Sequence, residues 1–154
     1  KHFKDQRGYF KEILKEKIIK KKFPLHLSSF SKQHVLRGLH FQNPPFEQGK
    51  LVRVIKGSVI DIAVDIRKDS ITYGKHVAVK LSDENNKMFW IPPGFAHGYY
   101  VKENNTIVNC KQTKYYSAKY EKGIIWNDKN LKLNWKFKKP LLSRKDMKQP
   151  KFYS

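Results

Sequence analysis

Alternation of apolar and polar positions is strongest in the middle of the chain. Residues 50–55 (KLVRVI), 58–66 (SVIDIAVDI) and 76–81 (HVAVKL) either switch character at every step or string β-branched residues together, the signatures of half-buried and fully buried strands. Lys56-Gly57 and Tyr73-Gly74 punctuate them as turns, and residues 88–91 and 106–110 continue the series. Short strands at regular spacing, joined by Gly-bearing turns, predict an antiparallel barrel or sandwich. Residues 11–22 are the main helical candidate, and Leu141-Leu142-Ser143-Arg144-Lys145-Asp146 after Pro140 can open a short second helix. No internal repeat or long linker interrupts the pattern, so a single domain is expected over residues 1–154.

Composition narrows the class. With 154 residues, 39% of them hydrophobic and 14% aromatic, the chain can fill one core and is too apolar for a disordered protein. No apolar run approaches the roughly 18 residues of a membrane span, and Lys1-His2-Phe3-Lys4-Asp5 does not lead into a secretory h-region, so a cytoplasmic protein with no membrane partner is expected. The missing initiator Met points to a trimmed or processed start. The single cysteine, Cys110, cannot form an internal disulfide. The net charge of +20 would suit nucleic acid, yet the lysines are scattered from Lys1 to Lys151, dense only between Lys15 and Lys22, and no nucleic-acid motif accompanies them. A solvated lysine surface that draws in a small anionic substrate is the simpler reading.

Candidate chemistry concentrates in two stretches, Arg37-Gly38-Leu39-His40-Phe41-Gln42 and Ile91-Pro92-Pro93-Gly94-Phe95-Ala96-His97-Gly98. Each sets a histidine beside turn-forming residues in a strand-rich context, which is how a β-barrel brings two distant imidazoles to one cavity. Pro92-x-Gly94-x-x-His97 resembles the second motif of the cupin superfamily, and Gly38-x-His40 with Glu47 and Gly57 resembles a depleted first motif, in which Gln42 stands where metal-binding cupins carry a second histidine. A divalent metal held by His40, Glu47 and His97 is one reading. Two barrel histidines satisfied by hydrogen bonds alone are another.

A closer resemblance runs from about Asp5 to Asp146. The blocks Asp5-Gln6-Arg7-Gly8-Tyr9-Phe10-Lys11-Glu12, Val35-Leu36-Arg37-Gly38-Leu39-His40-Phe41-Gln42, Gln48-Gly49-Lys50-Leu51-Val52-Arg53, Asp61-Ile62-Ala63-Val64-Asp65-Ile66-Arg67, Trp90 to Gly98, Lys114-Tyr115-Tyr116-Ser117, Gly123-Ile124-Ile125-Trp126-Asn127-Asp128 and Leu142-Ser143-Arg144-Lys145-Asp146 are similar, in order and spacing, to the dTDP-4-dehydrorhamnose 3,5-epimerase family. The resemblance implies an all-β, cupin-like jelly-roll barrel with a few short helices. It also implies a homodimer and a cofactor-free epimerase acting on a nucleotide-diphospho-4-keto-6-deoxy sugar in polysaccharide precursor synthesis. A C4 ketone acidifies the hydrogens on C3 and C5, so a base can take one and leave an enolate that is reprotonated from the other face. By this match His40 is the base, Asp146 orients it, and Lys50 faces the enolate oxygen. Arg37 is expected on the diphosphate. Asp61, His97, Gln42, Tyr115 and Tyr116 are further substrate-site candidates, and Arg7 and Glu12 match nucleotide-contacting positions.

Two departures stand out. Thirteen residues after His97, where the family carries the tyrosine that acts as acid opposite the histidine, this chain has Cys110. A thiol is shorter than a phenol, although its reference pKa, about 8.5 against about 10, does not forbid proton donation. A small buried hydrophobe is the plain alternative. Epimerisation at C3 alone, at both centres with another donor, or sugar-nucleotide binding without catalysis all stay open. The second departure is Leu25-His26-Leu27 ahead of Ser29 and Ser31, where the family has a Gln-x-Asn pair, in a segment from Arg7 to Val35 that is shorter than in relatives. Loss of those amides leaves the base open between thymine and guanine and the sugar between hexose and heptose, and the short start could lack the strand that in relatives crosses to the partner subunit.

Overall fold

The computed structural model describes residues 2–137 and 139–153, and among these the chain is built from strands and two single-turn helices. In chain order they are β1 (His2–Asp5), β2 (Gly8–Lys11), α1 (Glu16–Ile19), β3 (Leu25–Ser31), β4 (Leu36–Gln42), β5 (Lys50–Lys56), β6 (Ser58–Asp65), β7 (His76–Ser82), β8 (Met88–Ile91), β9 (Phe95–Val101), β10 (Thr106–Gln112), β11 (Glu121–Gly123) and α2 (Arg144–Met147). One sheet runs β3-β10-β5-β8 and faces a second, β11-β4-β9-β6-β7, while β1 and β2 form a separate hairpin. Every strand pair is antiparallel, as the regular strand spacing predicts, and the two facing sheets make the jelly-roll arrangement that the family resemblance implies.

Strand β6 explains the chain's layering. Its Val59 and Ala63 point between the sheets, where they pack with Val52, Val54, Leu81, Ile91, Val101 and Val108. The alternate residues Ile62 and Val64 point outward, yet they too are buried, under Ile124, Leu131 and Trp135. A strand covered on both faces carries apolar residues at nearly every position, which is why residues 58–66 read as a continuous run. Each fully buried Val, Ile or Leu contributes about 1.5–3 kcal/mol.

The outer cover is a largely irregular C-terminal segment. Phe137 stacks on Tyr100 with ring centroids 4.2 Å apart, and the indole N–H of Trp135 donates to the Trp126 carbonyl at 2.8 Å. Backbone bonds between Leu39 and Ile124, and from Leu36 to the Leu141 carbonyl, then lay the segment along β4 and bring α2 to its end. The predicted helix at 11–22 is corrected: β2 occupies Lys11, and only Glu16–Ile19 is helical. Ile18 is exposed and α1 buries no residue, so the segment lacks the tertiary face that sustains a short helix.

Candidate active site

Neighbouring positions on paired strands normally advance in step. Between β4 and β9 they do not: Arg37 lies opposite Tyr99 and His40 opposite His97, three steps on one strand against two on the other. The extra residue is a β-bulge at Gly38-Leu39. Gly38 has φ +112°, and a Cβ there would sit 2.5 Å from the His97 carbonyl oxygen and 2.7 Å from the Gly98 Cα. Only glycine fits this approach. Side chains three apart on a regular strand face opposite ways, so the bulge turns Arg37 and His40 to the same interior as His97 and Tyr99.

The facing wall comes from the other sheet. Cys110 lies between Leu27 of β3 and Val52 of β5, and Val108 between Ser29 and Val54. Together these walls and α2 enclose a cavity of about 400 Å³ whose polar lining includes Arg37, His40, Lys50, His97, Cys110 and Asp146. Lys50 spans it: rooted in β5, its ammonium donates to the His40 carbonyl at 3.3 Å. The guanidinium of Arg37 donates to Ser31 Oγ at 3.1 and 3.2 Å.

Two His–Asp pairs anchor the site. His40 Nε2 is 2.5 Å from Asp146 Oδ1, and His97 Nε2 is 2.8 Å from Asp61 Oδ1. Asp146 is buried, which works against its charge, but His40, the Ser143 hydroxyl and the Gly38 backbone N–H together hold its carboxyl below the ordinary carboxylate range. Asp61 is wholly buried and that burial pushes its carboxyl up, against the pull of His97 and Lys50; its Oδ2 has no hydrogen-bond partner among the described residues. Burial also lowers the Lys50 ammonium, opposed by attraction from Cys110, Asp61 and Glu121. The Cys110 thiol is pushed up, chiefly by burial. A basic imidazole, a carboxylate behind it and a desolvated cation around one cavity can abstract a proton next to a carbonyl and stabilise the resulting oxyanion.

A family model described as dTDP-4-dehydrorhamnose 3,5-epimerase matches residues 1–154. The chain belongs to the dTDP-4-dehydrorhamnose 3,5-epimerase family. The epimerase of that name from Shigella flexneri is 46% identical over 158 residues, spanning 99% of this chain and 87% of its own. The one from Sinorhizobium fredii is 44% identical over 155 residues, spanning 96% and 80%. The crystal structure of the Bacillus anthracis epimerase with TDP and PPi bound matches with a TM-score of 0.95 at 38% identity, covering 98% of this chain and 90% of that one. The Legionella pneumophila epimerase, solved in complex with dTDP-4-keto-L-rhamnose, gives a TM-score of 0.94 at 40% identity, covering 99% and 85%.

Of the residues the epimerase-family resemblance singled out, the cavity gathers His40, Asp146, Lys50, Cys110, Arg37 and His97, with Asp61 directly behind His97. Others lie elsewhere. The Gln42 amide donates to the Phe46 and Tyr115 carbonyls at 2.7 and 3.2 Å, and its oxygen accepts from the Ser117 N–H at 2.7 Å, so it braces a loop. Tyr115 is exposed, and the Tyr116 hydroxyl donates to Glu121 at 2.6 Å. Arg7 pairs with Asp5 in the β1–β2 hairpin, and Glu12 pairs with Lys15, both outside the cavity. The metal set His40, Glu47, His97 is not assembled, because both imidazoles face carboxylates and Glu47 pairs with Lys114. No group of three His, Cys, Asp or Glu placed to hold a metal occurs among the described residues.

Sequence reasoning missed two participants. Tyr99 lines the cavity two positions beyond His97, and that spacing, which fixes the same face, was the available signal. Glu121 draws Lys145 and Tyr116 together and acts electrostatically on His40 and Lys50. Its position depends on β11 pairing with β4, which no local pattern reveals.

Proposed function

We propose that this chain epimerises C3 of a nucleotide-diphospho-4-keto-6-deoxy sugar through an enolate, with His40 as the base. Family membership makes it a nucleotide-sugar epimerase, an isomerase. The observation that carries the residue roles is the His40–Asp146 pair opening on the cavity that Lys50 crosses. With Nε2–H donating to Asp146, the Nδ1 lone pair is left to take the proton. The enolate that forms concentrates charge on the C4 oxygen, and the Lys50 ammonium, little solvated, is suited to meet it. Arg37, at the exposed end, offers its planar fork to the diphosphate. His97, held by Asp61, positions the sugar. Resident cofactors have no part in this scheme.

A thymidine diphosphate carrier is the first choice, since the Legionella relative was crystallised with dTDP-4-keto-L-rhamnose. The hairpin supports a homodimer: Phe3, Tyr9 and Phe10 are exposed on it, and Arg7 and Glu12 lie outside the cavity lined by His40 and Asp146, so a second copy would have to receive them there. Described residues form no helix long and apolar enough to cross a membrane, and with a lone cysteine the cytoplasm, where sugar nucleotides are made, is the compartment we assign.

Incubation with dTDP- and GDP-linked 4-keto-6-deoxy sugars in deuterated water, read by NMR, tests the reading. Deuterium at an inverted C3, absent in His40→Asn, supports it. Inversion at C3 and C5 extends it, preference for GDP corrects the base, and no incorporation from any donor points instead to a binding protein.

A further inference from the structure

Inversion at carbon requires that the new proton arrive on the face opposite the one from which the first was taken. Resting on the epimerase reading above, the requirement asks for an acid on the wall facing His40. Cys110 is on that wall, but its short side chain keeps the sulfur close to its own strand, 4.0 Å from the Lys111 carbonyl and 3.9 Å from the Gln112 side-chain amide nitrogen. Ser29, also on that wall, is a far weaker acid, and Gln112 is not one. Lys50 is turned to the His40 carbonyl.

Tyr99 is different. Its backbone is in β9, in the same sheet as His40, and its ring packs in the inter-sheet core, but its hydroxyl crosses to the other sheet and meets Ser29 Oγ at 2.7 Å. Ser29 pairs with Val108, and Cys110 is the next inward residue of β10, so the phenol stands on the same wall as the thiol, about 7 Å along the strand. We propose that Tyr99 is the acid that delivers a proton to the enolate from the face opposite His40. The O–H bond of Tyr99 breaks as the new C–H bond forms, leaving a phenolate; the proton removed first stays on His40. The phenolate then takes a proton from water and the imidazolium returns one to water, so the cycle closes with no co-reactant. Ser29 can donate to the phenolate, and the Arg37 charge nearby favours it. Burial, the largest influence, raises the phenol above its ordinary value, so it is fully protonated at neutral pH and ready to donate.

The test compares wild type with Tyr99→Phe, which removes one oxygen from a packed ring, using the keto-sugar nucleotide in deuterated water. In Tyr99→Phe, His40-dependent deuterium exchange should persist with retention of configuration while inversion falls by about 100-fold or more. Adding Cys110→Tyr to Tyr99→Phe should restore inversion by returning a phenol to that wall, and Ser29→Ala alone should slow inversion without slowing exchange. Persisting exchange itself reports a folded site. Tyr99→Phe that inverts at the wild-type rate, or that loses exchange together with inversion, overturns the proposal. Wild type that neither exchanges nor inverts overturns the epimerase reading, and this inference with it.

Discussion

His40 and Asp146 are 106 residues apart in the chain and 2.5 Å apart in the fold. The contact forms because the C-terminal segment pairs with the edge of β4 before turning into α2, whose first turn is capped by Ser143 Oγ accepting from the Asp146 N–H. In the proposed mechanism the carboxylate fixes the tautomer and supports the imidazolium once a proton is taken. His40→Asn and Asp146→Asn should each lower kcat by about 10²- to 10⁴-fold with little change in KM, measured in steady state with the keto-sugar nucleotide.

Lys50 carries the charge proposed to meet the enolate in an unfavourable, buried position. Its burial lowers the ammonium below 10.5, so activity should fall on the alkaline side of a pH–rate profile before an ordinary lysine would titrate. Between the folded and unfolded values the unfolded chain binds more protons, so stability should rise with pH in that window. Lys50→Met should therefore leave stability unchanged or raise it by up to about 2 kcal/mol in denaturant titrations, while kcat drops by about 10²-fold or more.

Gly38→Ala should cost about 1–3 kcal/mol by thermal melting and take most activity with it, because the new methyl meets the backbone of His97 and Gly98 rather than a movable side chain. A substitution to Ala at Gly8, also at positive φ but with nothing within 4 Å of the added Cβ, should cost less.

Asp65 provides a stability test away from the cavity. Its carboxylate accepts from Arg67 at 2.7–3.0 Å and from Ser70 and Thr72 at 2.6 Å, and Arg67 chiefly holds its pKa far below 3.8. The stabilisation is present above about pH 4 and is lost as pH falls through the depressed folded value. Asp65→Asn should lose about 2 kcal/mol near neutrality, and the gap from wild type should close in acid, as read by Tm against pH.

The sequence made some strands plain and hid others for a physical reason. Strands β5, β6, β7, β8 and β10 were read from alternation or β-branched runs because their inward residues are mostly aliphatic. Strands β4 and β9 place Arg37, His40, His97 and Tyr99 inward instead, so apolar periodicity does not mark them, and β4 also changes phase at its bulge. Motif resemblance found their histidines where pattern could not. Gln42, Tyr115 and Tyr116 show what position within a motif leaves open, the direction in which a side chain turns: Gln42 bonds the Phe46 and Tyr115 carbonyls, the Tyr116 hydroxyl meets Glu121, and both tyrosines are exposed. The helix expected over 11–22 shrinks to Glu16–Ile19, because among the described residues none of its side chains is buried against the fold.

The bulge in β4 also sets how the gene for such a fold can change length. Most strand insertions are costly because one added residue sends every following side chain to the wrong face. At Gly38-Leu39 the situation is inverted: the added residue is already there, and a one-residue deletion would give back a regular ladder while sending either Arg37 or His40 outward. A shortened β4 could still close the same barrel while turning one of these two side chains away from the cavity, so within this strand residue number, as well as residue identity, decides which groups the cavity keeps.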